Sequence, residues 1–99
     1  MSIYDQIDVD FLVKALLSLE NETECKAFLE DLLTIKEMTD MEQRLEVAKL
    51  LAKNCRYTEI CDAVGASTAT ISRVNRCLLH GSGGYKMILE RLCDKEDTN

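Results

Sequence analysis

The sequence predicts a folded, all-α protein, and three observations support this prediction. The 99 residues include no proline and four glycines, three of which fall within the segment 81–84. Apolar residues make up 46% of the chain and charged residues 30%, as in folded domains and unlike disordered segments. Helix-capping residues recur at suitable spacings, whereas the many turns of a β-sandwich would lack residues to form them. We expect a single domain over residues 1–99.

The first predicted helix is unusually apolar. It begins at Asp8 or Asp10, either of which can cap it, and runs to about Asn21. Eight of the eleven residues in the segment 9–19 are apolar, more than the three or four per two turns of a single buried stripe. A monomer of this length has little with which to cover such a helix. The segment therefore predicts a homodimer.

Two further helices are predicted from capping boxes. Asn21 and Glu24 have the box spacing and open a short second helix. Thr34 and Glu37 form a box of the S/T-x-x-E type and open a third helix, with apolar residues at three- and four-residue intervals. Asn54 ends the third helix, because asparagine tolerates a left-handed backbone.

The segment 57–78 predicts two helices joined by a tight turn, and a final helix runs from about residue 85 to 93. Gly65 stands where the turn needs a positive φ, and Ser67 is a suitable N-cap for the second helix of the pair. Apolar residues recur at the spacings that bring the two helices together, namely Ile60, Val64, Ile71, Val74 and Leu78. Cys61 is small where the helices cross.

The outer face of the second helix indicates DNA binding. A recognition helix enters the major groove with small polar side chains first, because bulky ones would obstruct it. Hydroxyl groups then bond to bases or phosphates, methyl groups pack on thymine, and cations follow along the helix. The residues that present these groups are Thr68, Ala69, Thr70, Ser72, Arg73 and Arg76. The plainer alternative is an α-hairpin in the core of a helical protein.

Acidic and basic side chains are distributed unevenly along the chain. The net charge is −6, but residues 1–52 carry −7, residues 53–91 carry +3 and residues 92–99 carry −2. A basic centre in an acidic chain is expected of a protein that turns one face to a polyanion. A chance fluctuation over so few charges gives the same pattern.

Several stretches together resemble the Trp repressor superfamily, and most closely its YerC/YecD branch. These are residues 32–34 (LLT), 43–51 (QRLEVAKLL), 59–60 (EI), 67–78 (STATISRVNRCL) and the junction 83–86 (GGYK). The resemblance covers nearly the whole chain. It implies an all-α Trp-repressor-like fold with a helix-turn-helix, an intertwined homodimer, and binding of double-stranded operator DNA by a transcription regulator, most simply a repressor.

The resemblance also implies roles for individual residues of the second motif helix. Thr68, Ala69 and Ser72 match the positions at which the repressor reaches base edges, and Thr70 matches a phosphate contact.

The first motif helix departs from the repressor. Thr58 and Cys61 stand where the repressor has basic side chains that contact DNA, and Lys53 and Arg56 lie just upstream as partial replacements. Arg56 also replaces the usual serine cap, which leaves the start of this helix less well satisfied. We therefore do not transfer an operator sequence.

The tryptophan site of the repressor is matched only in part. Arg44, Arg73, Leu33 and Thr34 match residues that surround the ligand in the repressor. Val74 and Cys77 instead replace a glycine beneath the ligand and a serine. Because overpacking of this kind typically costs ~1–3 kcal/mol, we expect a filled pocket and no binding of free tryptophan. The alternative for the two arginines is that they are surface or phosphate-facing cations.

A zinc site and a catalytic site find little support. Tetrahedral coordination would need Cys55, Cys61, Cys77 and His80 to converge, yet two of these cysteines occupy packing positions of the motif. His80 is the one histidine, and no nucleophile has an evident base beside it. We expect neither enzymatic activity nor a cofactor.

Cysteine usage and hydropathy indicate a cytoplasmic protein. Five cysteines without a C-x-x-C motif favour reduced thiols that pack as small apolar groups. No run approaches the ~20 apolar residues of a membrane span, and no basic segment precedes an apolar stretch at the N-terminus. Besides a DNA-binding regulator, the charge of −6 allows a second hypothesis, a helical dimerisation or protein-interaction module without strong DNA affinity.

Overall fold

The computed structural model describes residues 7–93, and this part of the chain contains six helices and no strand. The helices are α1 (Asp10–Leu17), α2 (Glu22–Leu32), α3 (Ile35–Ala52), α4 (Tyr57–Val64), α5 (Thr68–His80) and α6 (Gly84–Leu92). The predicted all-α class is confirmed. The chain divides into two compact units, and the boundary between them lies between Met38 and Thr39, within α3. Of the segment 92–99, which carries a charge of −2, residues 94–99 lie outside the described residues.

Helix α1 is shorter than the sequence predicts. Its N-cap is Val9, and the carboxylate of Asp8 accepts a hydrogen bond of 3.0 Å from the N–H of Asp10. The predicted end at Asn21 is wrong, because the helix stops at Leu17. The Ser18 hydroxyl donates to the carbonyl of Ala15 at 2.7 Å, so this side chain competes with the backbone for the last turn.

The capping residues of α2 and α3 act largely as predicted. Asn21 Oδ1 accepts from the N–H of Glu24 at 2.9 Å, while the Glu24 carboxylate accepts from Glu20 rather than from Asn21. The box of α3 is complete: Thr34 Oγ1 accepts from Glu37 N–H at 3.1 Å, and Glu37 Oε1 accepts from Thr34 N–H at 2.9 Å.

A small apolar core forms in the unit that begins at Thr39. It consists of six buried residues from α3, α4, α5 and the turn between the last two, namely Val47, Ala48, Ile60, Ala66, Ile71 and Val74. Tyr85 and Leu89 of α6 pack against this cluster. Full burial of an Ile or Val side chain contributes roughly 1.5–3 kcal/mol, so these residues hold the two motif helices on α3. In residues 7–38, by contrast, no side chain is fully buried.

Helix α3 ends where the sequence predicts. The helix stops at Ala52, and Asn54 adopts a left-handed backbone with φ of 64°. The N–H of Asn54 donates to the carbonyl of Leu51 at 2.9 Å, which completes the turn. This turn leads the chain back towards α4.

Candidate nucleic-acid interface

A tight turn joins α4 to α5. Gly65 has a φ of 71° and its N–H donates to the carbonyl of Cys61 at 2.9 Å, closing α4 with a left-handed residue. A Cβ at this position would meet no atom within 4 Å, so the backbone angle and not crowding favours glycine. Ala66 is buried, and Ser67 in an extended conformation starts α5. The predicted arrangement of the two helices is therefore confirmed.

Ser67 and Thr70 organise the first turn of α5. Ser67 Oγ accepts the N–H of Thr70 at 3.2 Å and donates to Thr70 Oγ1 at 3.1 Å. As the acceptor in the second of these bonds, the Thr70 hydroxyl keeps its own proton.

The outward face of α5 is small and polar at its start and cationic further along. Thr68, Ala69, Ser72, Arg73 and Arg76 are exposed, and Thr70 is half-buried. The first N–H groups of a helix lack partners within the helix, and its dipole favours anions there. No acidic residue lies in the first turn of α5 or elsewhere in the helix. The helix therefore presents donors and positive charge without an opposing carboxylate of its own.

The cations around the motif are available for an external anion. Lys53, Arg56, Arg73 and Arg76 are exposed, and within the described residues none forms an ion pair. Thr58 is also exposed, on the first turn of α4. A cation that already paired with a carboxylate would lose that interaction on meeting a phosphate. These side chains have no such interaction to lose.

The start of α4 is better satisfied than we expected. Arg56 is the N-cap, and its guanidinium has no acceptor atom for a backbone N–H. Glu59 supplies the other half of a capping box, because its Oε1 accepts the N–H of Arg56 at 2.7 Å. The three-residue spacing from Arg56 to Glu59 is visible in the sequence, but a search for serine or threonine caps does not find this capping box.

The predicted ligand-pocket residues have different environments. Val74 is 1% exposed and belongs to the core, while Arg73 and Cys77 on the same helix are exposed and Arg44 on α3 is half-buried. The isopropyl group of Val74 thus contacts protein rather than an open cavity.

The other two pocket candidates belong to the unit that ends at Met38. Leu33 is the half-buried C-cap residue of α2, in an extended conformation. Thr34 uses its N–H and its hydroxyl oxygen in the capping box of α3. This hydrogen bonding gives Thr34 a structural role that requires no ligand.

Metal ligands do not converge in the described part of the chain. Among residues 7–93, no three histidine, cysteine, aspartate or glutamate side chains are grouped so as to hold a metal ion. Cys55 and Cys61 pack half-buried against the core, whereas Cys77 and His80 are exposed. The cysteines have free thiols. No helix between residues 7 and 93 combines the length and apolar character required to cross a bilayer.

Two features of the site were not predicted from the sequence. Gln43 Nε2 donates to the carbonyl oxygen of Val64, at the end of α4, over 3.4 Å. Gly81 ends α5 so closely that a Cβ there would lie 2.4 Å from the carbonyl oxygen of Cys77. The sequence offers no signal for the first, since the two residues are 21 positions apart. The only sequence signal for the close approach at Gly81 is the presence of a glycine at the end of a helix.

These features define a small protein that is all-helical over residues 7–93, with two helices joined by a tight turn in a manner consistent with a helix-turn-helix. The family described as "Trp repressor protein" matches residues 7–93, and the chain belongs to this family. The chain is 46% identical to the uncharacterised protein YerC of Bacillus subtilis (strain 168) over 89 residues, which cover 90% of this chain and 86% of YerC.

Two crystal structures are similar to the protein. One is that of a candidate Trp repressor from Staphylococcus aureus, with a TM-score of 0.88 and 42% identity, covering 93% of this chain and 95% of that one. The other is a TrpR-like protein from Eubacterium eligens ATCC 27750, with a TM-score of 0.82 and 49% identity, covering 85% and 87% of the respective chains. The resemblance to the superfamily and to its YerC branch is confirmed.

Proposed function

We propose that the protein is a sequence-specific DNA-binding transcription regulator, most simply a repressor, which acts as a cytoplasmic homodimer without enzymatic activity. The observation that carries this proposal is the outer face of α5, which has exposed hydroxyl and methyl groups, then two free cations, and no acidic residue. In helix-turn-helix proteins, of which Trp repressor is an established example, the second helix enters the major groove. Membership of the family supports the same role.

We assign the contacts of α5 from the positions of the repressor that these residues match, and the chemistry of each side chain agrees with its assigned role. Thr68, Ala69 and Ser72 are exposed near the helix start and are assigned to base edges. Thr70 matches a phosphate contact of the repressor and is assigned to a phosphate; its hydroxyl accepts from Ser67 and keeps its own proton for a second acceptor.

The cations are assigned to the phosphate backbone. Arg73 and Arg76 lie three positions apart, so their side chains project from the same face of α5. Lys53, Arg56 and Thr58 stand at the α3–α4 junction, where they are assigned to phosphates on the flank of the same site. Phosphate contacts of this kind supply affinity, and the base contacts of α5 supply specificity.

The homodimer is supported by exposed apolar side chains in both units. In residues 7–38, Phe11 of α1 is 86% exposed and Leu17 is 80% exposed. In residues 39–93, Leu79 and Leu92 are also exposed. Monomeric proteins rarely expose so many large apolar groups, and a second copy of the chain would cover them. Sedimentation should give about twice the subunit mass of 11.2 kDa at micromolar concentration; a fully helical monomer would contradict the dimer.

Free tryptophan is not the effector in this proposal. Val74 is buried in the core with Ile71 and Val47, so the motif is packed without a small molecule. A pocket filled by its own side chain leaves α4 and α5 fixed at all times. We therefore expect the protein to bind DNA without a co-repressor.

The dependence of DNA binding on salt tests the proposal. Genomic footprinting with the full chain would first identify bound sites, and mobility-shift titrations would then compare those sites with unrelated DNA. Because phosphate contacts release counterions, the logarithm of the affinity should fall linearly with the logarithm of salt concentration between about 50 and 200 mM. Feeble binding with a flat response would overturn the proposal in favour of a helical dimerisation or protein-interaction module.

A further inference from the structure

The carbonyl of Val64 has an unusual partner. Val64 is the last residue of α4, and the last four carbonyl groups of a helix lack partners within that helix. Instead the side-chain amide of Gln43, from α3, donates to Val64 O at 3.4 Å in a half-buried environment.

This hydrogen bond joins α3 to the turn between the motif helices. Gln43 lies four residues before Val47 and therefore on the same face of α3 as the core. Its acceptor is one residue before Gly65 and three before Ser67, the cap of α5. The caps of α3 and α5, in contrast, join residues only three apart in sequence.

Apolar packing alone defines the position and orientation of the α4–α5 turn on α3 less precisely than apolar packing combined with a hydrogen bond. Val47 and Ala48 contact α4 and α5 through methyl groups, and hydrophobic burial has no directional preference. A hydrogen bond requires a particular distance and angle between donor and acceptor. The amide of Gln43 therefore adds a directional constraint at the edge of a small core.

We propose that Gln43 is a positioning residue, whose amide fixes the α4–α5 turn on α3 and thereby sets the start of α5 for DNA. This role rests on the proposed function, because the assigned base contacts begin at Thr68, directly after the turn. A base contact needs its hydroxyl within hydrogen-bond distance of one base edge. A turn that moves on α3 lowers specific affinity more than the affinity for unrelated DNA, since cations on long stems still reach phosphates.

Two variants of Gln43 separate this role from simple packing. Gln43→Met keeps an unbranched stem of similar size and removes the donor, whereas Gln43→Lys keeps an N–H donor on an unbranched stem. Hydrogen exchange is measured at the N–H groups of Gly65 and Thr70. Their hydrogen bonds lie at the end of α4 and at the start of α5, on either side of the turn. The N–H of Met87 in α6, bonded to Gly83 at 3.0 Å, is the internal control.

Gln43→Met should raise exchange at Gly65 and Thr70 by about three- to tenfold, the range expected for one net hydrogen bond, and leave Met87 unchanged. It should lower the ratio of specific to unrelated DNA affinity by a similar factor, with the salt slope unchanged. Gln43→Lys should restore the parental exchange rates and the parental affinity ratio. The added charge raises the affinity for all DNA alike, and the ratio cancels this uniform gain.

Two results would overturn the positioning role. One is an exchange rate at the turn in Gln43→Met that equals the rate in the parent. The other is faster exchange at the turn while the ratio of specific to unrelated DNA affinity stays unaltered. If the parent binds no DNA sequence preferentially, the proposed function fails. The exchange comparison then still decides separately whether Gln43 holds the turn.

Discussion

The hydroxyl of Ser67 accepts the Thr70 N–H at 3.2 Å and donates to the Thr70 hydroxyl at 3.1 Å. One side chain thus caps α5 and orients the hydroxyl that we assign to a phosphate. Stability and the proposed DNA contact depend on the same two residues.

Replacing Ser67 by alanine should therefore have two effects. The loss of an N-cap should lower the free energy of unfolding by about 0.5–2 kcal/mol, measured by urea denaturation. DNA affinity should also fall, because Thr70 loses the donor that orients it. Ser82→Ala is the matched control, since Ser82 is exposed and has no hydrogen bond among the described residues. Equal behaviour of the two variants would contradict the role of the cap.

Arg76 and Ser72 should differ in what they contribute to DNA binding. Arg76→Ala should weaken binding to all sequences alike and reduce the salt slope by about one unit, because it removes one phosphate contact. Ser72→Ala should relax sequence preference by ~1–3 kcal/mol, the value of a good base contact. Mobility-shift titrations measure both quantities, with Lys26→Ala on α2 as a control for loss of a cation. Parental binding by both variants would contradict the assignment of α5 to the groove.

Val74→Gly tests the filled pocket. Calorimetry of the parent with L-tryptophan should give no binding heat, because the isopropyl group of Val74 occupies the core position. The glycine variant removes that group and should gain weak binding, while losing stability through the cavity and the flexible backbone. Micromolar binding by the parent would contradict the filled pocket and indicate a tryptophan-gated regulator.

Gly81 and Gly84 should respond in opposite ways to alanine. A Cβ at Gly81 would lie 2.4 Å from the carbonyl oxygen of Cys77, so Gly81→Ala should destabilise the protein by about 1–3 kcal/mol. A Cβ at Gly84, the first residue of α6, would meet nothing within 4 Å. Gly84→Ala should be neutral or stabilise by about 0.4–1 kcal/mol, by restricting the unfolded chain. Thermal unfolding distinguishes the two, and equal losses would contradict this account of Gly81.

The capping box of α3 should weaken in acid. Hydrogen bonds from the backbone and then the side chain of Thr34 hold the pKa of Glu37 below its usual value. The ionised carboxylate is therefore favoured in the folded state. Its stabilisation is present above the pKa of the unfolded chain and is lost as pH falls through the lower, folded pKa.

An NMR titration of the Glu37 carboxyl group measures this effect. Thr34→Val removes the hydroxyl and keeps the backbone N–H, so the pKa of Glu37 should rise part of the way to its usual value. Thr23→Val is the control, because Thr23 is exposed on α2 and has no hydrogen bond from its side chain among the described residues. An unchanged pKa in Thr34→Val would assign the whole shift to the backbone N–H.

Local interactions made much of the fold predictable. The box of Thr34 and Glu37, the left-handed Asn54 and Gly65, and the cap at Ser67 all follow from residues a few positions apart. Such interactions can be inferred from a sequence because the backbone itself sets the distance between the partners. The end of α1 was not predicted, because the Ser18 hydroxyl and the apolar pattern favour different ends.

The sequence by itself thus determined the all-α class, the caps that divide most of the helices, and the polar and cationic face of α5. Only the tertiary structure decided that Arg44 is half-buried while Arg73 is exposed, and that Gln43 donates to Val64. Burial and long-range hydrogen bonds depend on where other helices lie, and no local spacing specifies that position. Residues near each other in sequence fix the helices, whereas the packing of those helices fixes the environment of each side chain.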